Sequence, residues 1–352
     1  MISHGYYPNA RHQEIKPRLQ PSPESSSSHG VTMLGVDDRW RGDHGIGRYA
    51  REVVRRLTVP MVPLTMSATP ASPRDFFTPR RVPRGVSVVY SPGFNAGLTK
   101  VRQIVTVHDL VHLEEGLLKY RAYYGRILRP AIRKAGVVLT VSETSRAALR
   151  TWLDDDCVEI VNAGNGVSDA FTPGLLEKSP LHEYVLYVGN LKLHKNVSVI
   201  LKALRSSPEL RLVTVSPDPA AMSRAATDLG VRDRVTVMSK LTDRQLRDLY
   251  RGAKATVLPS TLEGFGLPAL ESICSGTPVV YWEGCRSVAE IVAMNGYAVG
   301  SKSDPDAWTE ALHRVTPVSN EAAKATRLRY SWEDVAAKVQ HVLCAAVKDA
   351  IQ

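Results

Sequence analysis

The sequence predicts an α/β fold of two doubly wound, Rossmann-like domains facing each other across a cleft. Three observations carry that expectation. The chain has 352 residues, more than one ordinary core encloses and comfortable for two domains of roughly 100 to 200 residues each. Short apolar, β-rich runs alternate with helical patterns along most of the length, the order of a mainly parallel sheet covered by helices. A stretch of turn formers, "NAGNGVSDAFTPGLLEKSPLHEY", interrupts the alternation, which then starts again.

Residues 1–29 are rich in Ser and Pro and lack hydrophobic periodicity, so they predict a disordered N-terminal tail rather than a signal peptide. An N-terminal, acceptor-side domain is expected over 30–172. In it the strand "VTMLGV" leads to the helical "RYAREVVRRL", "VSVVYS" and "RQIVTVHDL" supply short buried strands, and "VVLTVS" leads into "ETSRAALRTWL". A linker is placed near 169–183. The second domain, over 180–330, reads as five strand-to-helix units that begin at "YVLYVGN", "LRLVTVS", "RVTVMS", "ATVLPS" and "TPVVYW". The closing "SWEDVAAKVQHVLCAAVKDAI" has helical spacing. A helix over 332–352 is long enough to reach back and complete the first domain.

No window holds the ~20 consecutive apolar residues that a membrane-spanning helix needs. The four cysteines, Cys157, Cys274, Cys285 and Cys344, form no CxxC pair, and they read as reduced, mostly buried thiols of a cytoplasmic protein. A net charge of +10, concentrated in the first half, favours an anionic partner such as a nucleotide or a phospholipid surface. Nucleic acid is not expected, because the chain lacks aromatic interleaving and zinc spacing.

Doubly wound sheets bind ligands beyond the carboxyl ends of their strands. The stretch "LEGFGLPALESICSGTPVV" sits there, between the strand "ATVLPS" and a helix that Pro268 opens and Gly276 closes. Gly264 and Gly266 let the backbone approach a ligand, and the free N–H groups around Phe265, Gly266 and Leu267 suit a phosphate. Glu271, one turn into the helix, is a candidate acceptor for ribose hydroxyls, and Glu263, before the turn, for a sugar ring. The competing reading makes Glu271 a complement to the helix N-terminus and Glu263 a surface turn residue.

"EGFGLPALE", with "PS" before it and "GTPVV" after it, resembles the glutamate-x7-glutamate motif of family 4 retaining glycosyltransferases, which have the GT-B fold. "HGIGRY", "TVHDL", "VSETSRAAL", "VGNLKLHKN" and "SW" fall in the expected order, and the combination looks most like the O-antigen mannosyltransferase subgroup. The resemblance implies a retaining hexosyltransferase that uses a nucleotide-diphosphate sugar as substrate, GDP-mannose first among donors, and needs neither cofactor nor metal. It implies a saccharide or lipid-linked acceptor.

On this resemblance Lys195 neutralises the donor diphosphate, while Asn190 stands where many relatives carry an arginine. The backbone at Gly45, in a glycine turn after the first strand, approaches the phosphates. His108, directly after a strand, contacts the transferred sugar and helps stabilise charge; His112 has no matching role and reads as structural. Glu263, His108 and Lys195 are thus the catalytic candidates, and Gly45, Asn190, Lys195, Phe265, Gly266, Leu267 and Glu271 the donor-binding ones.

Two aspartate runs, "VDD" at 36–38 and "DDD" at 154–156, are read as structural or solvated rather than metal-binding. A phosphorylase of the same architecture and an inactive nucleotide-sugar-binding relative are the rival functions. In "LLKYRAYYGRILRPAIRKAG", tyrosines and aliphatic residues alternate with cations, which on one helix gives a face for an anionic bilayer, unless the segment packs on the first lobe and Pro130 kinks it. A peripheral place at the inner face of a membrane follows from that expectation.

Overall fold

The structure, a computed structural model, describes residues 33–350 apart from 43, 65, 67, 71, 73, 76–79, 115, 117 and 175–182. The expected tail and the middle of the expected linker lie outside the described residues.

Among the described residues the first lobe carries β1 (Met33–Val36), β2 (Met61–Pro63), β3 (Val86–Ser91) and β4 (Arg102–Val105), paired in parallel in the order β2-β1-β3-β4. A parallel pair, β5 (Val137–Thr140) and β6 (Glu159–Asn162), continues this layer through a bridge between Thr106 and Leu139. The second lobe carries β7 (Val185–Val188), β8 (Leu212–Val215), β9 (Val235–Met238), β10 (Ala255–Leu258), β11 (Val279–Trp282) and β12 (Gly296–Val299). All pair in parallel, in the order β12-β11-β10-β7-β8-β9.

This is the 3-2-1-4-5-6 order of doubly wound sheets, and its switch point lies between β7 and β10. The loops that follow those two strands therefore open on one crevice. They are the loops that hold Lys195 and Glu263.

The strands that the sequence does not announce are β2, β6 and β12. Each is at a sheet edge and each is only partly buried. Pro63 ends β2 and Gly296 opens β12, so local preference is weak there and pairing with a neighbour decides the conformation.

Six helices position the site: α1 (Gly45–Val54), α2 (Glu143–Leu153), α3 (Asp243–Gly252), α4 (Leu267–Cys274), α5 (Arg286–Val292) and α6 (Trp332–Asp349). Helix α6 starts at an N-cap, Ser331, whose hydroxyl accepts from the Asp334 N–H. It buries Trp332, Val335, Val339, Leu343 and Ala346 along one stripe. That stripe packs on α1, β1 and β3 of the first lobe. Arg56 pairs with Glu333 at 2.8 Å, and the Thr58 N–H donates to Gln340 at 2.7 Å. Trp332 meets the Tyr49 ring at 6.0 Å and covers Gly166, where a side chain has no room. One apolar cluster consequently runs through both lobes.

The cationic, tyrosine-rich segment departs from the expected amphipathic surface helix. It is α-helical over Leu118–Tyr123, π-helical over Tyr124–Leu128 and α-helical again over Arg129–Ala135. In the wide turn the Arg129 N–H reaches back to the Tyr124 carbonyl, so Pro130 falls early in a fresh helical stretch rather than breaking one. Tyr123, Tyr124, Leu128 and Ile132 are buried in one cluster with Phe94. The aromatic residues serve the core, and what faces outward is Leu118 with Lys119, Arg121, Arg126, Arg133 and Lys134. Of the thiols, Cys274 and Cys285 are buried and Cys157 is exposed.

Candidate functional site

Two loops of the second lobe meet at the switch point. After β7 a 3-10 turn over Leu193–Lys195 closes on Asn196 in the left-handed region, φ 49°. The Thr261 N–H donates to the His194 carbonyl at 2.7 Å, which ties this turn to the loop after β10. Lys195 Nζ then donates to both carboxylate oxygens of Glu263, 2.7 Å to each. Ser260 Oγ donates to Glu263 Oε1 at 2.7 Å, so the carboxylate is held by two side chains, and Ser287 Oγ fixes the main chain beneath it by donating to the Glu263 carbonyl at 2.8 Å. Asn190 shapes the loop: its side-chain oxygen accepts from the Lys192 N–H at 3.1 Å and its carbonyl from the Tyr187 hydroxyl at 2.6 Å.

The first lobe supplies the opposite wall. His108 follows β4 and is buried, with its ring edge-on to Tyr49 at 4.8 Å. Its Nε2 lies 2.9 Å from the Pro92 carbonyl oxygen, which requires Nε2 to carry the proton and donate it. Burial lowers the imidazole pKa against the opposing pull of that carbonyl and Asp109. His108 is therefore neutral at pH 7, with Nδ1 as an acceptor.

Between the walls lies a cavity of about 200 Å³. His108, Phe94, Asp109 and His112 line it from the first lobe, and Asn190, Lys195, Glu263 and Gly264 from the second. His112, which the sequence reading leaves as structural, also stacks on Tyr120 at 4.4 Å and meets Phe94 edge-on at 5.3 Å.

The lobes touch directly beside the cavity. Ser142 caps α2 and donates to the Gly264 carbonyl at 2.7 Å, while Ser145 donates to the His108 carbonyl at 2.8 Å. Glu290 of α5 accepts from the first N–H groups of α2, Glu143 at 3.1 Å and Thr144 at 2.7 Å, where a carboxylate is favoured by the helix dipole.

The remaining donor-side candidates lie outside that cavity's lining. Gly266, with φ 107°, is the N-cap of α4, and Gly45 opens α1 opposite it; a Cβ built on Gly45 falls 3.5 Å from Leu267 Cδ1. Phe265 packs its ring in the core against Tyr330 at 5.7 Å, which leaves its side chain no part in binding a ligand. Glu271 is buried and bound on both oxygens: Arg48 Nη1 donates to Oε1 at 2.9 Å, and the Tyr250 hydroxyl donates to Oε2 at 3.0 Å. Burial pushes its carboxyl up to about 7, against the opposing effects of Arg48 and the Tyr250 hydroxyl.

The aspartate runs have other work. Asp37 is buried, pairs with Arg39 at 2.7 Å and accepts from Asn95, while Arg39 also pairs with Asp75 at 2.7 Å. Burial raises the Asp37 carboxyl, but Arg39, Arg80 and Asn95 outweigh it and leave the pKa below the usual range. This network pins the loop that leads to Gly45. Asp154 ends α2 in the left-handed region, and Asp155 pairs with Arg133 at 3.0 Å.

Arg48, Asp243, Tyr250, Ser142 and Ser145 are absent from the sequence-derived candidates. Arg48 lies within the quoted "HGIGRY" and Ser142 and Ser145 within "VSETSRAAL", so the motifs marked the right segments without singling out these side chains.

Comparison with known proteins bears on the second lobe most directly. Residues 176–330 match the family model described as glycosyl transferases group 1. The chain is 28% identical over 219 residues to the O-antigen chain mannosyltransferase RfbU of Salmonella typhimurium, covering 60% of each chain. It is 35% identical over 244 residues to a D-inositol 3-phosphate glycosyltransferase of Xylanimonas cellulosilytica, covering 60% of this chain and 57% of that one. These alignments span less than two thirds of the relatives' own lengths. Among solved structures, a sucrose-phosphate synthase from Thermosynechococcus elongatus superposes with a TM-score of 0.68 at 16% identity, covering 90% of this chain and 99% of that one. WaaG, a glycosyltransferase involved in lipopolysaccharide biosynthesis, superposes with a TM-score of 0.56 at 16% identity, covering 90% and 98%. The chain thus has the GT-B fold and, over residues 176–330, matches the glycosyl transferases of group 1.

Proposed function

We propose that this chain is a retaining glycosyltransferase that moves a hexose from a nucleotide-diphosphate sugar to a hydroxyl of a saccharide or lipid-linked acceptor. The observation that carries the reading is the meeting of Lys195 and Glu263 from one lobe with His108 from the other on a single cavity. In this reaction the anomeric carbon–phosphate oxygen bond breaks and the acceptor oxygen bonds to that carbon from the same side. The departing diphosphate takes the acceptor's proton.

Lys195 stabilises the charge that grows on the diphosphate, an electrostatic contribution of about 3 to 4 kcal/mol for one well-placed donor. Glu263 orients that ammonium and accepts from sugar hydroxyls. His108, held neutral, places an acceptor rather than a cation beside the electron-poor sugar ring, which favours the oxocarbenium-like centre. The N–H groups at Gly45 and around Gly266 and Leu267 receive the phosphates, and no metal takes part.

GDP-mannose is the donor we name, supported by the similarity to an O-antigen chain mannosyltransferase. Incubation with a panel of labelled nucleotide sugars, with and without EDTA, tests the reading. The expected result is transfer that survives EDTA and a product of unchanged anomeric configuration by NMR. Strict dependence on manganese or an inverted anomer overturns it; turnover of free sugar phosphate without nucleotide gives the phosphorylase reading, and binding without turnover the inactive relative.

We extend the proposal to a cytoplasmic enzyme that touches an anionic bilayer through the exposed cations Lys119, Arg121, Arg126 and Lys134, Arg133 being paired with Asp155, since the tyrosines are spent in the core. Each such cation near an anionic surface contributes about 1 kcal/mol, and salt screens it. Flotation with anionic vesicles at low salt, lost at high salt, is expected; a protein left behind by anionic vesicles at low salt removes this extension.

A further inference from the structure

We propose that Arg48 is a positioning residue of the donor-ribose subsite: a guanidinium from the first lobe that holds the Glu271 carboxyl group in orientation, so that nucleotide affinity in the second lobe depends on the first. The inference rests on the donor-site reading above and deepens it.

Arg48 lies one turn into α1, just past the Gly45 turn that faces α4. Its fork spans two carboxylates of the other lobe, Nη1 on Glu271 at 2.9 Å and Nη2 on Asp243, and its guanidinium lies 5.9 Å from the centre of the Phe171 ring. A lysine has one ammonium and cannot reproduce this planar bridge. The side chains of Arg48 and Glu271 are 14% and 7% exposed, so the pair is shielded from water and each partner depends on the other.

The competing view of Glu271, as a complement to the N-terminus of α4, does not match its bonds. Both of its oxygens are engaged by side chains of other helices, Arg48 from α1 and Tyr250 from α3. A carboxylate oxygen accepts two hydrogen bonds, so each retains one acceptor site. Two oxygens with one free site each suit a vicinal diol such as a ribose offers.

The charged and titratable groups that act on Glu271 are Arg48 from α1 and Asp243 and Tyr250 from α3; Glu271 in turn acts on Cys274 of its own helix, whose thiol Arg327 also influences. Burial raises the Glu271 carboxyl to about 7 while Arg48 opposes the rise. Loss of Arg48 removes that opposition, and the carboxyl then takes up a proton at still higher pH. Protonation converts one acceptor oxygen into a donor, and diol binding weakens.

The test is titration calorimetry of the full chain with GDP and UDP from pH 6 to 9, for wild type, Arg48→Met and Arg48→Lys. With the nucleotide that binds wild type, affinity is expected to rise as pH increases through about 7. Arg48→Met is expected to bind about tenfold more weakly at pH 7.5 and to need a higher pH for the same rise. Arg48→Lys, which keeps the charge but not the fork, is expected to restore part of the affinity and most of the pH midpoint. In turnover the donor KM rises more than kcat falls. If Arg48→Met and Arg48→Lys change thermal stability but keep wild-type affinity and pH midpoint, Arg48 is structural and the proposal is overturned. If wild type binds neither nucleotide at any pH, the donor-site reading beneath it fails instead.

Discussion

Replacing Lys195 or Glu263 by alanine should lower kcat by about two to three orders of magnitude, with circular dichroism unchanged. The pair sits in loops after β7 and β10, where side chains contribute little to either core, so the fold does not depend on it. Lys195 meets both Glu263 oxygens at 2.7 Å, with side chains 20% and 12% exposed. On the proposed reading, removing the lysine takes away the cation that stabilises the leaving diphosphate, and it leaves Glu263 with Ser260 as its remaining side-chain partner. Removing the glutamate frees the ammonium from its orientation. Because the two act as one unit, the double variant should cost much less than the product of the single losses. Single-turnover rates on wild type, both singles and the double give the comparison; kcat within tenfold of wild type in either single variant removes that residue from the chemistry.

Gly264→Ala should lower kcat/KM by about a hundredfold, through misplacement of the two walls rather than loss of a reacting group. A Cβ at this position falls 2.7 Å from the His108 carbonyl oxygen and 2.9 Å from Asp109 Oδ2, closer than real side chains approach. Those atoms belong to the first lobe and Gly264 to the second, so the added methyl pushes against the contact that Ser142 makes with the Gly264 carbonyl. Relief comes by parting the lobes, which draws His108 away from Lys195 and Glu263. Small-angle scattering should show a larger radius of gyration beside the kinetic loss. A variant with wild-type kcat/KM and wild-type scattering would show that the close approach is not required.

Both predictions concern contacts whose partners are far apart in the chain, and this is where reading the sequence stops. Lys195 and Glu263 are separated by 68 positions, and each was marked by its own motif because a cation before a helix and a carboxylate before a glycine turn are local patterns. Arg48 and Glu271 are separated by 223 positions, and Arg48 looks like one more solvated cation on the amphipathic helix α1. The tyrosines of the segment that starts at Leu118 show the same limit, since the sequence left both readings open. Their spacing allows a face toward lipid or a face toward a core, and the neighbours Phe94 and Trp152, supplied by other parts of the chain, chose the core.

By itself the sequence determined the alternation of strand and helix and the placing of chemistry after strands, because apolar periodicity, glycine turns and helix starts are encoded within about ten residues of each other. Edge strands such as β2 and β12 lay beyond it, since their conformation comes from hydrogen bonds to a neighbour rather than from their own residues. Tertiary structure alone decided that Lys195 and Glu263 share a pair of hydrogen bonds, that His108 is neutral, and that Arg48 reaches Glu271. Each of these depends on burial and on a partner brought from a distant part of the chain, and burial is what turns an ordinary histidine, arginine or glutamate into one with a fixed geometry and a shifted charge.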